Sequence, residues 1–217
     1  MDAGGDSGGG LRLHLGCGTT TPAGWVNVDG ALGARLARLP ALRPLLRATR
    51  TFRSEWPPSI TVHDLRKPFP WRSGSASAIY SSHTLEHLTR EEGRHFLREC
   101  HRVLRPGGVI RIAVPDLALI LTAYEKGVFP AVELLERLGV SLACPEDGLL
   151  KRLLAPWIRF PHRCMYDGDS LVGAMAEAGL PGCLHPAFVS RLQDVADVEI
   201  PSRMRGSVIA EAVREPV

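Results

Sequence analysis

The chain has 217 residues, of which 45% are hydrophobic, so one large domain of this length can bury a full core. Its formal net charge of +3 is too small to indicate a nucleic acid as partner. The five cysteines are odd in number and form no C-x-x-C pair, which argues against a disulfide framework and a cysteine-rich zinc site and favours a reducing, cytoplasmic environment.

Residues 1–10 carry two acidic side chains and neither the basic nor the apolar region of a secretion signal. We therefore expect a disordered lead-in, followed by one domain over residues 11–217. No apolar run approaches the roughly 20 residues that a membrane-spanning helix needs, so we expect a soluble protein without a membrane span.

Short apolar runs alternate with helix-like segments through the first half of the chain. This alternation predicts a doubly wound α/β fold, in which helices cover both faces of a mostly parallel sheet. An apolar run near the end predicts a last strand, antiparallel at the sheet edge. The predicted strands are residues 11–15, 25–28, 60–63, 78–81, 109–114 and 207–213.

Four segments between these strands have a distinct character. Residues 32–46 alternate leucine with arginine, which favours a solvated cationic face over a contact with phosphate or membrane. Residues 90–104 have the apolar stripe of a helix and end at an Arg-Pro-Gly-Gly breaker. Residues 127–161 lose this periodicity and are predicted to form an inserted lid or acceptor-binding segment, and residues 169–178 a short helix.

A glycine bend follows the first predicted strand. Gly16 and Gly18 flank Cys17, and the second strand closes on Asp29. Glycines let a ligand approach the main chain, and a carboxylate at a strand end can bind ribose hydroxyls. Thr21 stands where a dinucleotide fingerprint has its third glycine, and no P-loop lysine follows, so the pattern favours an adenosine-like ligand without a pyrophosphate.

Several motifs in a fixed order make this chain resemble a known family. The chain resembles the small class I S-adenosylmethionine-dependent methyltransferases of the methyltransferase-11 type over residues 11–116. The resemblance implies a seven-stranded Rossmann-like sheet and S-adenosylmethionine as cofactor. The matching motifs are LHLGCG, WVNVD, HDLRKPFPW, AIYSSHTLEHL and LRECHRVLRPGGVIRIAVPD.

The resemblance also implies cofactor-binding residues at the ends of four strands. The glycine bend would pass under the methionine and ribose, Asp29 would bind the ribose hydroxyls, and Asp64 would face the adenine. His14 departs from the family, because an acid is common at that position. The implied cofactor-binding residues are His14, Gly16, Cys17, Gly18, Asp29, His63, Asp64, Leu65, Ser81, Ser82 and His83.

Methyl transfer is an in-line displacement that needs alignment and, for an oxygen acceptor, removal of a proton. The candidate catalytic residues are His83, Asp116, His162 and Tyr166. His83 is the leading candidate for the general base, because histidine titrates near neutral pH. A histidine that only orients the substrate or caps a helix would give the same sequence pattern. The expected acceptor is a small or sugar-containing molecule under residues 127–166.

Three alternatives remain beside this interpretation. His83, Glu86 and His87 spell H-x-x-E-H, an inverted zinc-hydrolase motif, but it follows a strand directly and shows no evident third ligand, so no metal site is predicted. A methyltransferase fold that only binds a partner would keep the same motifs. An RNA acceptor is a further alternative because of the arginines at residues 35–53, and the oligomeric state is left open.

Overall fold

The computed structural model describes residues 9–39, 56–140 and 160–216. Seven strands in this part of the chain form one sheet: β1 (Leu11–Leu15), β2 (Val26–Asp29), β3 (Thr61–Val62), β4 (Ala76–Ser82), β5 (Leu104–Pro115), β6 (Gly182–Leu184) and β7 (Ser207–Val213). Their order across the sheet is β3-β2-β1-β4-β5-β7-β6. Pairing is parallel from β3 to β5, and β7 is antiparallel to both of its neighbours. The predicted α/β fold with a reversed last strand is confirmed, but the prediction that this strand lies at the sheet edge is wrong, because β7 lies between β5 and β6.

Helices and short turns connect the strands. The described helices are α1 (Leu32–Ala37), α2 (Arg90–Val103), α3 (Leu117–Glu125), α4 (Leu134–Arg137), α5 (Gly168–Glu177) and α6 (Pro201–Met204). The described residues also contain three 3-10 turns, at Leu85–His87, Ala131–Glu133 and Val195–Asp197. None of the described helices is both long and apolar enough to cross a membrane.

The first five strands lie in the chain close to where the sequence predicts them, but β5 begins earlier. α2 ends at Val103, and β5 starts with the pair Leu104 and Ala76, whereas pairing resumes only at Val109 with Ala78. The Arg-Pro-Gly-Gly segment therefore forms an irregularity at the start of β5 instead of a separate loop, with only Gly108 of the four buried. The predicted end of the helix is confirmed: Leu104 already has extended backbone angles, and Gly107 has a positive φ of 74° further along.

Other predicted elements differ at their ends or lie partly outside the described residues. The helix predicted over residues 32–46 is described only as α1, and residues 40–55 lie outside the described part. Of the predicted insertion, residues 141–159 are likewise outside it, and residues 127–140 contain α4. The sequence did not predict β6, which has only three residues and pairs with the reversed strand β7.

The central strands form the core because their side chains are buried on both faces of the sheet. Leu13, Ile79 and Ile110 on β1, β4 and β5 have no exposed surface, and α2 packs Phe96 and Leu97 against this layer. α2 begins with a capping box, in which the Thr89 and Glu92 side chains each accept a hydrogen bond from the other's backbone N–H. Parallel pairing of β1 with both β2 and β4 places the carboxyl ends of these three strands next to one another.

Candidate active site

The glycine bend lies between the ends of β1 and β2. The N–H groups of Gly16 and Cys17 both donate to the carbonyl of Val28, at 2.9 and 3.0 Å. Gly16 has a φ of 74°, and a Cβ at this position would overlap Thr84 Oγ1. Gly18 also has a positive φ, of 57°. The bend therefore requires glycine, both for its backbone conformation and for the close approach of Thr84.

Asp29 contacts this bend directly. Its Oδ2 accepts a hydrogen bond from the Gly18 N–H at 2.9 Å, and its Oδ1 accepts one from the Ala31 N–H at 2.7 Å. Burial raises the pKa of Asp29, and these two N–H groups oppose that effect. Each carboxylate oxygen can accept more than one hydrogen bond, so both oxygens can accept further ones. Gly18 and Asp29 thus meet at one point.

Arg203 of α6 lies beside the same bend, although the sequence analysis did not identify it. Its Nη2 is 3.5 Å from the position that a Cβ on Gly18 would occupy. Its positive charge lowers the pKa of Asp29 and of His14 as a minor effect after burial and hydrogen bonding. Within the described residues, no carboxylate lies within ion-pair distance of its guanidinium. No sequence motif marks this residue, because it belongs to a four-residue helix near the last strand.

His14 and Cys17 turn their side chains into packed surroundings. His14 is 1% exposed, its ring packs against Tyr80, and its Nδ1 lies 3.3 Å from Asn27 Oδ1. Burial lowers the pKa of His14 to about 4, so the ring is neutral. Burial raises the pKa of the Cys17 thiol to about 12. Because both side chains are packed, we expect any cofactor contact of these two residues to come from their backbone atoms.

The predicted adenine side follows β3. Asp64 makes two hydrogen bonds of 2.8 Å with the Arg66 guanidinium, which lower its pKa to about 2. His63 packs at the edges of Phe69 and Trp71, and Leu65 belongs to the core. The backbone of this segment reaches Asp29, because the His63 N–H donates to the Asp29 carbonyl at 3.2 Å. The structure therefore brings this segment beside Asp29.

The end of β4 places polar groups next to the bend. Ser81 Oγ donates to the Leu15 carbonyl at 3.0 Å, and Ser82 is buried. His83 has a φ of 53°, its Nε2 lies 3.0 Å from the Arg203 carbonyl, and its Nδ1 lies 3.3 Å from Glu86 Oε1. Burial alone would lower the pKa of His83, but the Glu86 carboxylate and the Arg203 carbonyl outweigh it and raise the pKa.

The other predicted catalytic residues lie at the end of β5 and behind it. Asp116 caps α3 by accepting a hydrogen bond from the Ala118 N–H at 3.0 Å, and it forms a β-bridge with Tyr166. Tyr166 is buried in the core, and burial raises the pKa of its hydroxyl. His162 Nδ1 donates to the Leu138 carbonyl at 2.7 Å, and burial lowers the pKa of this ring.

Glu86 joins two of these predicted residues. Its Oε1 lies 3.3 Å from His83 Nδ1 and 4.0 Å from His162 Nε2, and the residue has no exposed surface. The Glu86 carbonyl accepts hydrogen bonds from the N–H groups of Arg163 and Cys164. The residues after β4 and the segment before α5 are thereby held together.

Comparisons with known proteins agree with this fold. Residues 13–112 match the family model described as a methyltransferase domain, methyltransferase-11. The YcgJ protein of Bacillus subtilis has a similar structure, with a TM-score of 0.52, 10% identity, and coverage of 96% of this chain and 93% of that chain. No curated protein matches the sequence.

Two further solved structures are similar at lower TM-scores. A possible histamine N-methyltransferase of Thermotoga maritima has a TM-score of 0.49 and 13% identity, and the match covers 95% of this chain and 83% of that one. The methyltransferase in complex with the Trm112 activator of Haloferax volcanii has a TM-score of 0.49 and 15% identity, with 96% and 84% covered. The family match over residues 13–112, which carry the glycine bend and Asp29, supports a class I S-adenosylmethionine-dependent methyltransferase domain in this part of the chain.

Proposed function

We propose that this methyltransferase binds S-adenosylmethionine across the ends of β1, β2 and β4 and transfers its methyl group to a small or sugar-containing acceptor. The observation that carries the proposal is the hydrogen bond of 2.9 Å between the Gly18 N–H and Asp29 Oδ2. It brings the glycine bend and the acidic strand end together, which is what one ligand needs to contact both.

Each part of the cofactor has a group of matching chemistry. Asp29 would accept hydrogen bonds from the ribose hydroxyls, since a carboxylate pairs well with a vicinal diol. Gly16 and Gly18 would let the sulfonium and ribose lie against the main chain. Arg203 would bind the methionine carboxylate, because its guanidinium lies beside Gly18 and can form a charge-assisted pair with an anion.

His83 and Asp116 would border the acceptor, as residues at the carboxyl ends of β4 and β5 do in this fold class. Both ring nitrogens of His83 already have protein partners, Glu86 on one side and Arg203 and Ser207 on the other. This geometry supports a positioning role for His83 rather than proton removal. The polar side chains at this edge suit an acceptor that carries hydroxyl or amine groups.

Calorimetric titration with S-adenosylhomocysteine and S-adenosylmethionine tests the cofactor site. Asp29→Ala is expected to weaken binding by about 10- to 100-fold, because it removes hydrogen bonds to a charged group. The matched control is Asp169→Ala, since Asp169 is exposed in the first turn of α5. Wild-type protein that binds neither compound at millimolar concentration, or Asp29→Ala protein that binds as tightly as wild type, would contradict the proposal.

The acceptor class is tested by formation of S-adenosylhomocysteine from S-adenosylmethionine. We expect turnover with members of a panel of hydroxylated and amine-bearing small molecules that includes sugars. Single-stranded RNA at the same cofactor concentration serves as the comparison. Turnover with RNA alone would overturn the proposed acceptor class and leave the cofactor site intact.

A further inference from the structure

A buried carboxylate and two histidines form a cluster that the methyl-transfer site does not explain. Glu86, His87 and His162 each offer one ligand atom, and these atoms lie within 4.8 Å of one another. Glu86 and His87 belong to the 3-10 turn after β4, and His162 comes from the segment before α5. Two separate parts of the chain thus meet at this point.

The Glu86 carboxylate is the unusual member of the cluster. It has no exposed surface, and neither of its oxygens makes a well-directed hydrogen bond. A carboxylate removed from water costs several kcal/mol unless a partner compensates for the lost hydration. His83 Nδ1 lies 3.3 Å from Oε1, and this is a partial compensation at most, because Oε2 lacks any partner among the described residues. A cation would supply the missing interaction.

The two histidines are held in the way that metal ligands are held. The Leu138 carbonyl can only accept a hydrogen bond, so His162 Nδ1 carries the proton and Nε2, 4.0 Å from Glu86 Oε1, keeps its lone pair. His87 Nδ1 faces the Pro161 carbonyl at 3.4 Å, which favours the same tautomer. Histidines that bind a metal commonly donate their other N–H to a backbone carbonyl, which fixes the ring orientation.

We propose that Glu86, His87 and His162 bind a divalent transition-metal cation of the Zn²⁺ type. Two imidazoles and one carboxylate suit zinc and its neighbours better than magnesium or calcium, which prefer oxygen ligands. Zinc ligands lie about 2.0–2.2 Å from the ion, so shifts of about 1 Å in these side chains close the site. Three protein ligands leave a position for water or for an oxygen of the acceptor.

The arrangement differs from the H-x-x-E-H hydrolase motif in which His83 and His87 would be the ligands and Glu86 the base. Leu85–His87 is a 3-10 turn and not an α-helix, so the motif does not present its histidines on one helical face. His83 directs Nε2 to the Arg203 carbonyl and Ser207 Oγ. The third ligand that the sequence analysis missed is His162, far along the chain.

Metal binding is measured on untagged protein that has been treated with chelator and dialysed. Titration with Co²⁺ is expected to produce the visible absorption of a four- or five-coordinate site and to saturate at one equivalent, and Zn²⁺ is expected to displace the cobalt. X-ray absorption of the wild-type zinc complex is expected to show nitrogen and oxygen ligands with imidazole scattering. Absence of the cobalt bands, or a sulfur shell around zinc, would overturn the proposal.

Two variants locate the site. Glu86→Gln and His162→Ala are each expected to weaken Co²⁺ binding by more than the roughly 10- to 100-fold that loss of an outer-shell partner costs. The control is His101→Ala, which removes an imidazole from the last turn of α2. Circular dichroism establishes that each variant is folded. Folded variants that bind cobalt as wild type does would overturn the assignment, and if a variant does not fold, the wild-type X-ray absorption spectrum decides.

Discussion

Arg203 places a positive charge beside the glycine bend, and no carboxylate among the described residues pairs with it. A half-buried guanidinium gains most from an anion that arrives with a ligand, because the pair is then shielded from water. S-adenosylmethionine carries one such anion, the carboxylate of its methionine part. We therefore expect substitution of Arg203 to separate recognition of the amino-acid part from recognition of the nucleoside.

We predict that Arg203→Ala weakens S-adenosylhomocysteine binding by about 10-fold or more, since a hydrogen bond to a charged group contributes roughly 1.5–3 kcal/mol. Binding of 5′-methylthioadenosine, which lacks the amino-acid part, should be unchanged. Calorimetry with both ligands measures the difference, and Arg205→Ala on the exposed neighbour is the control. An equal loss for both ligands would instead indicate that Arg203 holds the pocket in shape.

Gly16 combines a positive φ with a close neighbour, and Gly74 has a positive φ without one. Gly74 has a φ of 69° and nothing within 4 Å of the position that a Cβ would occupy, whereas a Cβ on Gly16 would overlap Thr84. Gly74→Ala is expected to cost about 1–2 kcal/mol from backbone strain alone. Gly16→Ala should cost more in urea unfolding and should also weaken cofactor binding. Equal costs for the two variants would show that Thr84 moves away freely.

At the scale of elements, α2 anchors the loop that precedes β4. Glu99 accepts two hydrogen bonds from the Arg102 guanidinium, at 2.8 and 2.7 Å, and one from the Phe69 N–H. Arg102 in turn donates to the Phe69 and Trp71 carbonyls at 3.0 and 2.9 Å. The sequence predicts the helix, but this link depends on side chains that no local pattern pairs.

The Glu99 carboxylate makes this link sensitive to pH. The hydrogen bonds from Arg102 lower the pKa of Glu99 in the folded state. The stabilisation is therefore complete above the unfolded-state pKa of about 4.3 and is lost as the pH falls through the lowered folded pKa. We predict that Glu99→Gln destabilises the protein by about 1–2 kcal/mol at pH 7 and by less at pH 3. Urea unfolding at both pH values measures this.

The control for Glu99→Gln is Glu91→Gln on the same helix, where the side chain is 77% exposed. Its ion pairs with Arg94 and Arg98 are long, at 3.9 and 3.8 Å, so we expect little change at either pH. A Glu99→Gln effect of the same size at pH 7 and pH 3 would contradict the electrostatic explanation.

At the scale of the whole molecule, the sequence predicts contacts between neighbouring strands but not contacts between residues that are far apart in the chain. The glycine bend and Asp29 lie 11 positions apart in the chain, and strand patterns on either side placed them correctly at one sheet edge. The position of Arg203 depends on α6, which returns to the glycine bend late in the chain. The contact of Glu86 with His162 depends likewise on the segment before α5. Short elements such as β6 carry no periodicity, so their pairing follows from the neighbouring strand rather than from their own residues.

A buried ion network connects the late part of the chain to the sheet. Arg111 of β5 has no exposed surface, and its guanidinium contacts Glu199 at 2.6 Å and Glu211 of β7 at 3.2 Å. It also donates to the Pro186 and Val189 carbonyls at 2.8 and 3.0 Å. Arg111 and Glu211 are directly opposite one another in the antiparallel pair. The network thus fixes the segment that leads into α6 and Arg203.

Substitution of one residue of this network should show how much the network contributes to the free energy of unfolding. We predict that Arg111→Met destabilises the protein by about 3–5 kcal/mol, because it leaves Glu199 and Glu211 buried without their cation. Arg111→Met combined with Glu199→Gln should be more stable than the sum of the two single changes predicts, because one uncompensated charge is then removed. Urea unfolding of the four proteins gives the coupling free energy. Strict additivity would mean that water reaches these carboxylates and that the network does not hold α6 against the sheet.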